Sequence, residues 1–238
     1  MVKSHAAGWE PEKPTFAQLK EFITQVDEGR ITKDRLQAFL NAKIYAPTYM
    51  QAEIALGLKN FFGPEQWRKF FGSRVDLREV PDIPWSFAIL ENPPIQKRHF
   101  LFLGLEKFEG EDLTLKKWNS VLSSFNIRND NQSNLTCGFR WYMMSLGLIT
   151  LGKTFDEQFS ELPEAYEVPN ITERVTANIL YHLLNERFLD TGQAYVLTDT
   201  LGSRGLLSVG ATNSDIYVSE LHDGKSGFLR GLAASLKI

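Results

Sequence analysis

A histidine and a glutamate four residues apart form the pattern best suited to acid–base chemistry. His182 and Glu186 share one face of the helix predicted over Asn170–Phe188, because residues four apart are neighbours on a helix surface. A carboxylate in that place would orient the imidazole and raise its pKa, which suits a general base. The alternative is a histidine at the edge of the core, paired with its neighbour for packing. His182 and Glu186 are therefore the candidate catalytic residues, although the sequence ties no serine or cysteine nucleophile to them.

Basic residues beside aromatic ones form a second pattern with chemical meaning. Single-stranded nucleic acid is bound by clustered positive charge together with aromatic faces on which bases stack. The candidates for such contact are Lys97, Arg98, His99, Lys116 and Lys117. The first three lead into an apolar run, and the two lysines precede Trp118 on a predicted helix. A buried strand that follows a basic turn explains the first group equally well, and the net charge of −3 gives no broad attraction to phosphate.

The remaining reactive residue types favour structural roles. Acidic residues gather at 106–112 and at 156–167 without the ligand spacing of a calcium loop, so we predict no metal site. Cys137 has no positioned histidine, which favours a small buried residue over a nucleophile. The Gly-Lys-Ser sequence within His222–Ser226 lacks the earlier glycine of a phosphate loop, so we predict a turn there. We predict no cofactor.

The composition is that of an ordinary globular protein. The chain has 238 residues, of which 43% are hydrophobic and 23% are charged. A single cysteine excludes an internal disulfide and favours a reducing compartment. The first residues lack the apolar region of a secretory signal, and the longest uncharged stretch of the apolar middle, Trp141–Gly152, is shorter than the roughly 20 residues of a membrane helix. We therefore expect a cytoplasmic protein without a membrane partner.

Helix signals dominate residues 15–81, after a stretch at 1–14 that we expect to be a flexible leader. One helix starts with the capping-box spacing at Thr48, and its expected buried stripe includes Ile54 and Leu58. The four predicted helices begin at Thr15, Thr32, Thr48 and Pro64.

Residues 82–238 mix strand and helix patterns. Alternation over Trp85–Ile89 predicts a half-buried strand, and the unbroken apolar run Phe100–Leu105 suits a central strand covered on both faces. Asn126–Asn134 is predicted to be a polar loop. Thr154 with Glu157 and Asn170 with Glu173 have the spacing of capping boxes, which predicts that a helix starts at each. In the last third, short apolar runs separated by turns follow the helix from Asn170. The predicted fold class is therefore α+β, with a four-helix N-terminal region, then a mixed sheet with interleaved helices and a C-terminal antiparallel β-meander.

Three hypotheses for the function follow. The first is a non-enzymatic binding or adaptor protein whose ligand and partner the sequence does not identify, a protein being one candidate. It is based on the lack of convergent reactive residues and on several segments that combine aromatic and basic residues. The second is a hydrolase or transferase whose residues converge only in three dimensions. The third is a nucleic-acid-binding protein that uses Lys97–Phe102 and Lys116–Trp118.

Overall fold

The computed structural model describes residues 16–29, 32, 46–122, 126–129, 134–148, 153–191, 195–203, 205–221 and 230–237. By their contacts the residues separate into one unit over Met1–Tyr45 and another over Ala46–Ile238. Within the described residues the fold is mixed α+β, with eight α-helices, two five-stranded sheets and a two-stranded hairpin.

The described part of the first unit contains the helix Phe16–Asp27 (α1). The helices of the second unit are Tyr49–Leu56 (α2), Pro64–Phe71 (α3), Phe87–Leu90 (α4), Pro93–Arg98 (α5), Leu115–Val121 (α6), Phe155–Ser160 (α7) and Ile171–Asn185 (α8). Its strands are Phe61–Phe62 (β1), His99–Leu103 (β2), Lys107–Phe108 (β3), Glu111–Asp112 (β4), Asn126–Asn129 (β5), Trp141–Ser145 (β6), Tyr166–Glu167 (β7), Tyr195–Leu201 (β8), Leu206–Ala211 (β9), Asp215–Leu221 (β10), Arg230–Leu232 (β11) and Ser235–Leu236 (β12).

Three of the predicted N-terminal helices correspond to α1, α2 and α3. The helix predicted from Thr32 lies outside the described residues apart from Thr32 itself, so the four-helix arrangement stays a prediction. The capping box at the start of α2 is confirmed, because the Thr48 hydroxyl accepts from the Gln51 N–H at 3.2 Å and the Gln51 side chain accepts from the Thr48 N–H at 2.9 Å. By contacts, α2 and α3 belong to the same unit as the sheets.

The face of α2 that packs inward differs from the predicted one. Ala52 and Leu56 are buried, whereas Ile54 and Leu58 are exposed. Glu53 is the only charged residue of α2, and apolar residues occur on several sides of the helix. The spacing of the apolar residues therefore does not determine which face of α2 is buried. Packing against the neighbouring helices determines it.

The strand predicted over Trp85–Ile89 is wrong. Ser86 precedes α4, and its C=O accepts from the N–H groups of Ile89 at 3.0 Å and Leu90 at 3.2 Å. Alternation over five residues does not separate a strand from a single helical turn when a residue suited to the N-cap lies inside the window.

The polar loop predicted over Asn126–Asn134 is wrong in its first half, which forms strand β5 at the edge of a sheet. At this edge the side chain of Asn119 forms the kind of hydrogen bonds that a neighbouring strand would form with β5. Its amide donates to the C=O of Ile127 at 2.8 Å and accepts from the Ile127 N–H at 2.7 Å. This pairing satisfies edge groups that would otherwise be open to another chain.

Helix α8 packs against both large sheets. The first sheet has the order β1-β2-β6-β12-β7, and every residue of β2 is buried, as the apolar run predicted. The second has the order β11-β8-β9-β10-β5, in which β8, β9 and β10 form an antiparallel meander. Contacts of α8 with β2, β8 and β9 bury every residue over Ile171–Tyr181. The start of α8 is thereby fixed beside β6, where the polar residues described below meet.

The turn predicted over His222–Ser226 lies outside the described residues. In the part of the chain that the structure describes, no helix has both the length and the apolar character needed to cross a bilayer.

Candidate functional site

The structure places the predicted catalytic pair at the end of α8. The His182 ring stacks on Phe188, with ring centroids 4.2 Å apart and an angle of 16° between the planes. Glu186 ends the helix in the left-handed region at φ 57°, and its N–H donates to the C=O of His182. Burial lowers the pKa of His182 and outweighs the Glu186 carboxylate, which raises it. The imidazole therefore favours the neutral form, and a catalytic role for the pair stays a prediction.

The predicted nucleic-acid residues divide by exposure. Lys97, Arg98 and Lys116 are exposed, whereas His99 is buried as the first residue of β2. His99 Nε2 lies 2.9 Å from the hydroxyl oxygen of Tyr166, and burial is the main cause that lowers the pKa of His99. His99 therefore belongs to the packing of the sheet and presents no surface to a nucleic acid.

Lys117 lies apart from the basic turn that precedes β2. Its ammonium contacts Glu111 at 2.6 Å, and its side chain is mostly buried. Trp118 of the same helix stacks with Trp67, whose indole N–H donates to the C=O of Leu103 at the last residue of β2. The two basic groups are thus associated with opposite ends of β2, and nucleic-acid binding by them stays a prediction.

An open groove of about 450 Å³ lies between the segment after α3 and the loop that joins β2 to β3. We call it the groove, and it is lined by Asp76, Arg78, Glu79, Leu105, Glu106, Lys107 and Phe139. The half-buried Phe139 supplies apolar surface, whereas Leu105 is only 2% exposed and contributes almost none. The other five side chains are charged. Three acidic and two basic residues leave one negative charge in excess. A neighbouring depression shares Asp76 and Arg78 and extends this surface towards Arg68.

The charged ridge between the two depressions is held by one ion pair. The Arg78 guanidinium contacts both carboxylate oxygens of Asp76, with Nη2 to Oδ2 at 2.6 Å and Nε to Oδ1 at 3.0 Å. This pairing lowers the pKa of Asp76, with the hydrogen bonds from the Arg78 side chain as the largest cause. Because these two charges satisfy each other, Glu79, Glu106 and Lys107 are the groove charges left to a ligand.

Close packing fixes the apolar walls of the groove relative to each other. A Cβ atom added at Gly104 would lie 2.5 Å from the Tyr142 ring and 2.8 Å from the C=O of Gly138, so glycine is required. The Gly104 N–H donates to the C=O of Arg140 at 2.8 Å. The loop that carries Leu105 is therefore joined directly to the segment that carries Phe139.

A polar cluster stands behind Phe139, where the start of α8 meets β6. Tyr142 donates its hydroxyl hydrogen to Glu173 at 2.9 Å and accepts from the Gly138 N–H at 2.9 Å. Arg140 lies 3.1 Å from the Glu167 carboxylate and 3.6 Å from that of Glu173. Its guanidinium also lies over the Tyr142 ring, 4.6 Å from the centroid. We call these five residues the Glu173 cluster.

Burial sets the protonation of this cluster. It raises the pKa of the Glu173 carboxyl and of the Tyr142 hydroxyl, and it is the largest cause for both. The Cys137 thiol is fully buried next to them, and burial raises its pKa as well, so it is not a nucleophile near neutral pH. Perturbed groups of this kind often mark functional sites, although structural networks perturb pKa values too.

The hydrogen bonds of the cluster indicate support for the groove. The second carboxylate oxygen of Glu173 accepts from the Asn170 N–H at 2.8 Å, so both oxygens have donors. The sequence identified Asn170 and Glu173 as a capping box, which is confirmed, but gave no signal for Tyr142 or Arg140. The cluster holds the segment from Cys137 to Arg140 and with it the position of Phe139.

Among the residues that the structure describes, no group of three or more histidine, cysteine, aspartate or glutamate side chains is arranged to hold a metal ion. Comparisons with family models, with curated proteins and with solved structures gave no significant match for this chain.

Proposed function

We propose that this protein is a non-enzymatic binding protein that holds a segment of a partner protein in the groove. The observation that carries the proposal is the groove itself, in which the half-buried ring of Phe139 lies among charged residues of both signs. Small-molecule pockets enclose most of the ligand and are lined mainly by apolar side chains. An open groove with a charged rim suits an extended polypeptide, whose alternate side chains reach the apolar wall and the charges.

The excess of negative charge defines the complementary partner. With Asp76 and Arg78 engaged by each other, Glu79 and Glu106 face any ligand together with Lys107. A partner segment with a lysine or arginine beside an apolar residue matches this surface. Electrostatic complementarity of this kind favours the correct partner and speeds association.

The Glu173 cluster supports the proposal because it fixes the groove before a ligand arrives. Tyr142 and Arg140 connect the segment around Phe139 to α8, and Gly104 connects that segment to the opposite wall. A preformed surface loses less conformational entropy on binding than one that must first be ordered.

The experiment places a photo-crosslinking phenylalanine analogue, p-benzoylphenylalanine, at Phe139. Phe139 is half-buried, and the matched control carries the same analogue at Phe159 on α7, which is 55% exposed and lies outside the groove lining. We expect ultraviolet light to join a partner to the Phe139 variant and not to the Phe159 variant. The partner is then identified by mass spectrometry, purified and shown to bind the unmodified protein. The same adducts from both positions, or none from Phe139, would contradict the proposal.

A hydrolase or transferase is the second candidate, and the raised pKa of Glu173 next to Tyr142 favours it. Substitution Glu173→Gln tests it, because glutamine keeps an oxygen for the Asn170 N–H but cannot exchange a proton. p-Nitrophenyl acetate and p-nitrophenyl phosphate serve as probes. An enzyme that uses Glu173 as acid or base should turn over one of them and lose activity by about 10²–10⁴-fold in the variant. Turnover that is equal in both proteins would exclude this role of Glu173.

A further inference from the structure

Helix α2 presents an apolar stripe to solvent. Met50, Ile54 and Leu58 are each spaced by four residues, and they are 70%, 73% and 72% exposed. Met50 and Ile54 lie on the helix, and Leu58 directly follows its cap, Gly57. Ile89, on the neighbouring helix α4, is 39% exposed as well. We call Met50, Ile54 and Leu58 the α2 stripe.

The size of the α2 stripe distinguishes it from scattered surface hydrophobics. Together with Ile89 it exposes on the order of 500 Å² of apolar surface, near the upper end of the roughly 300–600 Å² of the largest patch on a typical monomer. If two copies covered it, on the order of 1,000 Å² would be buried in total, which is about the lower limit for a specific interface.

The charges around the α2 stripe permit such contact. Glu53 is the only charged residue between Tyr49 and Leu58, and its carboxylate accepts a hydrogen bond from Gln66 on α3. The stripe itself therefore carries no charge, which matches the depletion of charged residues at the centre of protein interfaces.

We infer that the α2 stripe is the contact between two copies of this chain. Met50 and Ile54 lie about one turn apart on α2, and Leu58 lies beyond Gly57, whose φ of 80° and ψ of 154° end the helix, so a twofold axis that passes near Ile54 brings the same exposed side chains of both copies together. A twofold axis brings the same patch of both copies together, which closes the assembly at a dimer. This contact uses residues other than those of the groove and leaves the groove residues out of the interface.

Disulfide trapping tests the arrangement. Ile54→Cys places two thiols at the axis, while the native Cys137 is fully buried. The matched control is Leu201→Cys, because Leu201 on β8 is 76% exposed, close to the 73% of Ile54. We expect mild oxidation to give a covalent dimer with Ile54→Cys and none with Leu201→Cys. Equal trapping of both single variants would overturn the inference.

Sedimentation equilibrium tests the energetics without a crosslink. We expect the wild-type protein to dimerise in a concentration-dependent manner and Ile54→Lys to weaken the dimer by at least about tenfold, because two lysines would face each other at the axis. Leu201→Lys should leave the dimer unchanged, and circular dichroism should show both variants folded. A wild-type protein that stays monomeric up to about 100 µM, or an Ile54→Lys variant that dimerises like the wild type, would overturn the inference. Interfaces of about 1,600 Å² reach micromolar affinity or better, and the limit of about 100 µM allows for the smaller area here. If the α2 stripe instead binds a different protein, the wild-type protein on its own would stay monomeric.

Discussion

Deleting one charge of the buried ion pair that joins α8 to the segment after it should lower the free energy of unfolding more than deleting an exposed charge does. Arg174 and Asp190 have side chains that are 1% and 3% exposed. The guanidinium donates through Nε to Asp190 at 3.1 Å and through Nη2 to the other carboxylate oxygen, and Nη1 donates to the C=O of Ser145 at 3.1 Å. Asn178 donates to the same carboxylate at 2.6 Å.

Substitution Asp190→Ala removes three of these hydrogen bonds and leaves the Arg174 charge buried without its counter-ion. Removing one partner of a buried pair costs about 3–5 kcal/mol. Since domains are stable by about 5–15 kcal/mol in total, the loss is a large part of the stability. The control is Asp76→Ala, which also removes a carboxylate with several hydrogen bonds to an arginine. That pair is 64% and 87% exposed, so we expect little change in the free energy of unfolding.

The assay is urea denaturation followed by circular dichroism, with the free energy of unfolding and the denaturant slope fitted for each variant. We expect a large loss for Asp190→Ala only. The double variant Arg174→Met/Asp190→Leu should recover most of that loss, because it removes both charges and fills the space with apolar groups. Equal losses for Asp190→Ala and Asp76→Ala, or no recovery in the double variant, would refute the reasoning that burial determines the cost.

Three further predictions concern single residues. Burial holds the pKa of the His99 imidazole below its ordinary 6.5. As the pH falls, this imidazole is therefore protonated at a higher pH in the unfolded chain than in the folded protein. The free energy of unfolding, measured by urea titration at each pH, should therefore fall between about pH 7 and pH 5, and it should fall less in His99→Gln. The same pH dependence in the wild type and in His99→Gln would contradict this. Cys137 should not react with Ellman's reagent in the native protein at pH 8 but should react in guanidinium, and full native labelling would be inconsistent with its burial. Substitution Asn119→Ala removes both hydrogen bonds to Ile127 and should destabilise the protein by about 1–3 kcal/mol in urea, whereas an unchanged midpoint would show that β5 does not need this pairing.

Local signals in the sequence predicted local structure well. The capping boxes at Thr48 and Asn170 are present, and so is the one at Thr154, because each depends only on residues three apart. The apolar run at β2 correctly predicted a strand covered on both faces. Its composition sufficed because no face of that segment suits solvent.

Predictions that depended on a choice of face or partner failed. Nothing within α2 indicated that Ala52 would be buried and Ile54 exposed, since that choice is made by helices distant in sequence. The groove joins residues near position 76, position 105 and position 139, and its support joins Tyr142 to Glu173, 31 residues away. Such pairings follow from the order of the strands and the packing of the helices, and neither can be predicted from the spacing of residues in the sequence.

The affinity of the partner captured at Phe139 for three forms of the protein tests the central claim most directly. Isothermal titration would compare the wild type with Glu106→Lys in the groove and with Glu164→Lys, an equal charge change at an exposed residue outside the groove lining. We predict a dissociation constant weaker by about tenfold or more for Glu106→Lys, equivalent to about 1.4 kcal/mol, and no change for Glu164→Lys. Equal affinities for all three proteins would contradict a binding role for the groove.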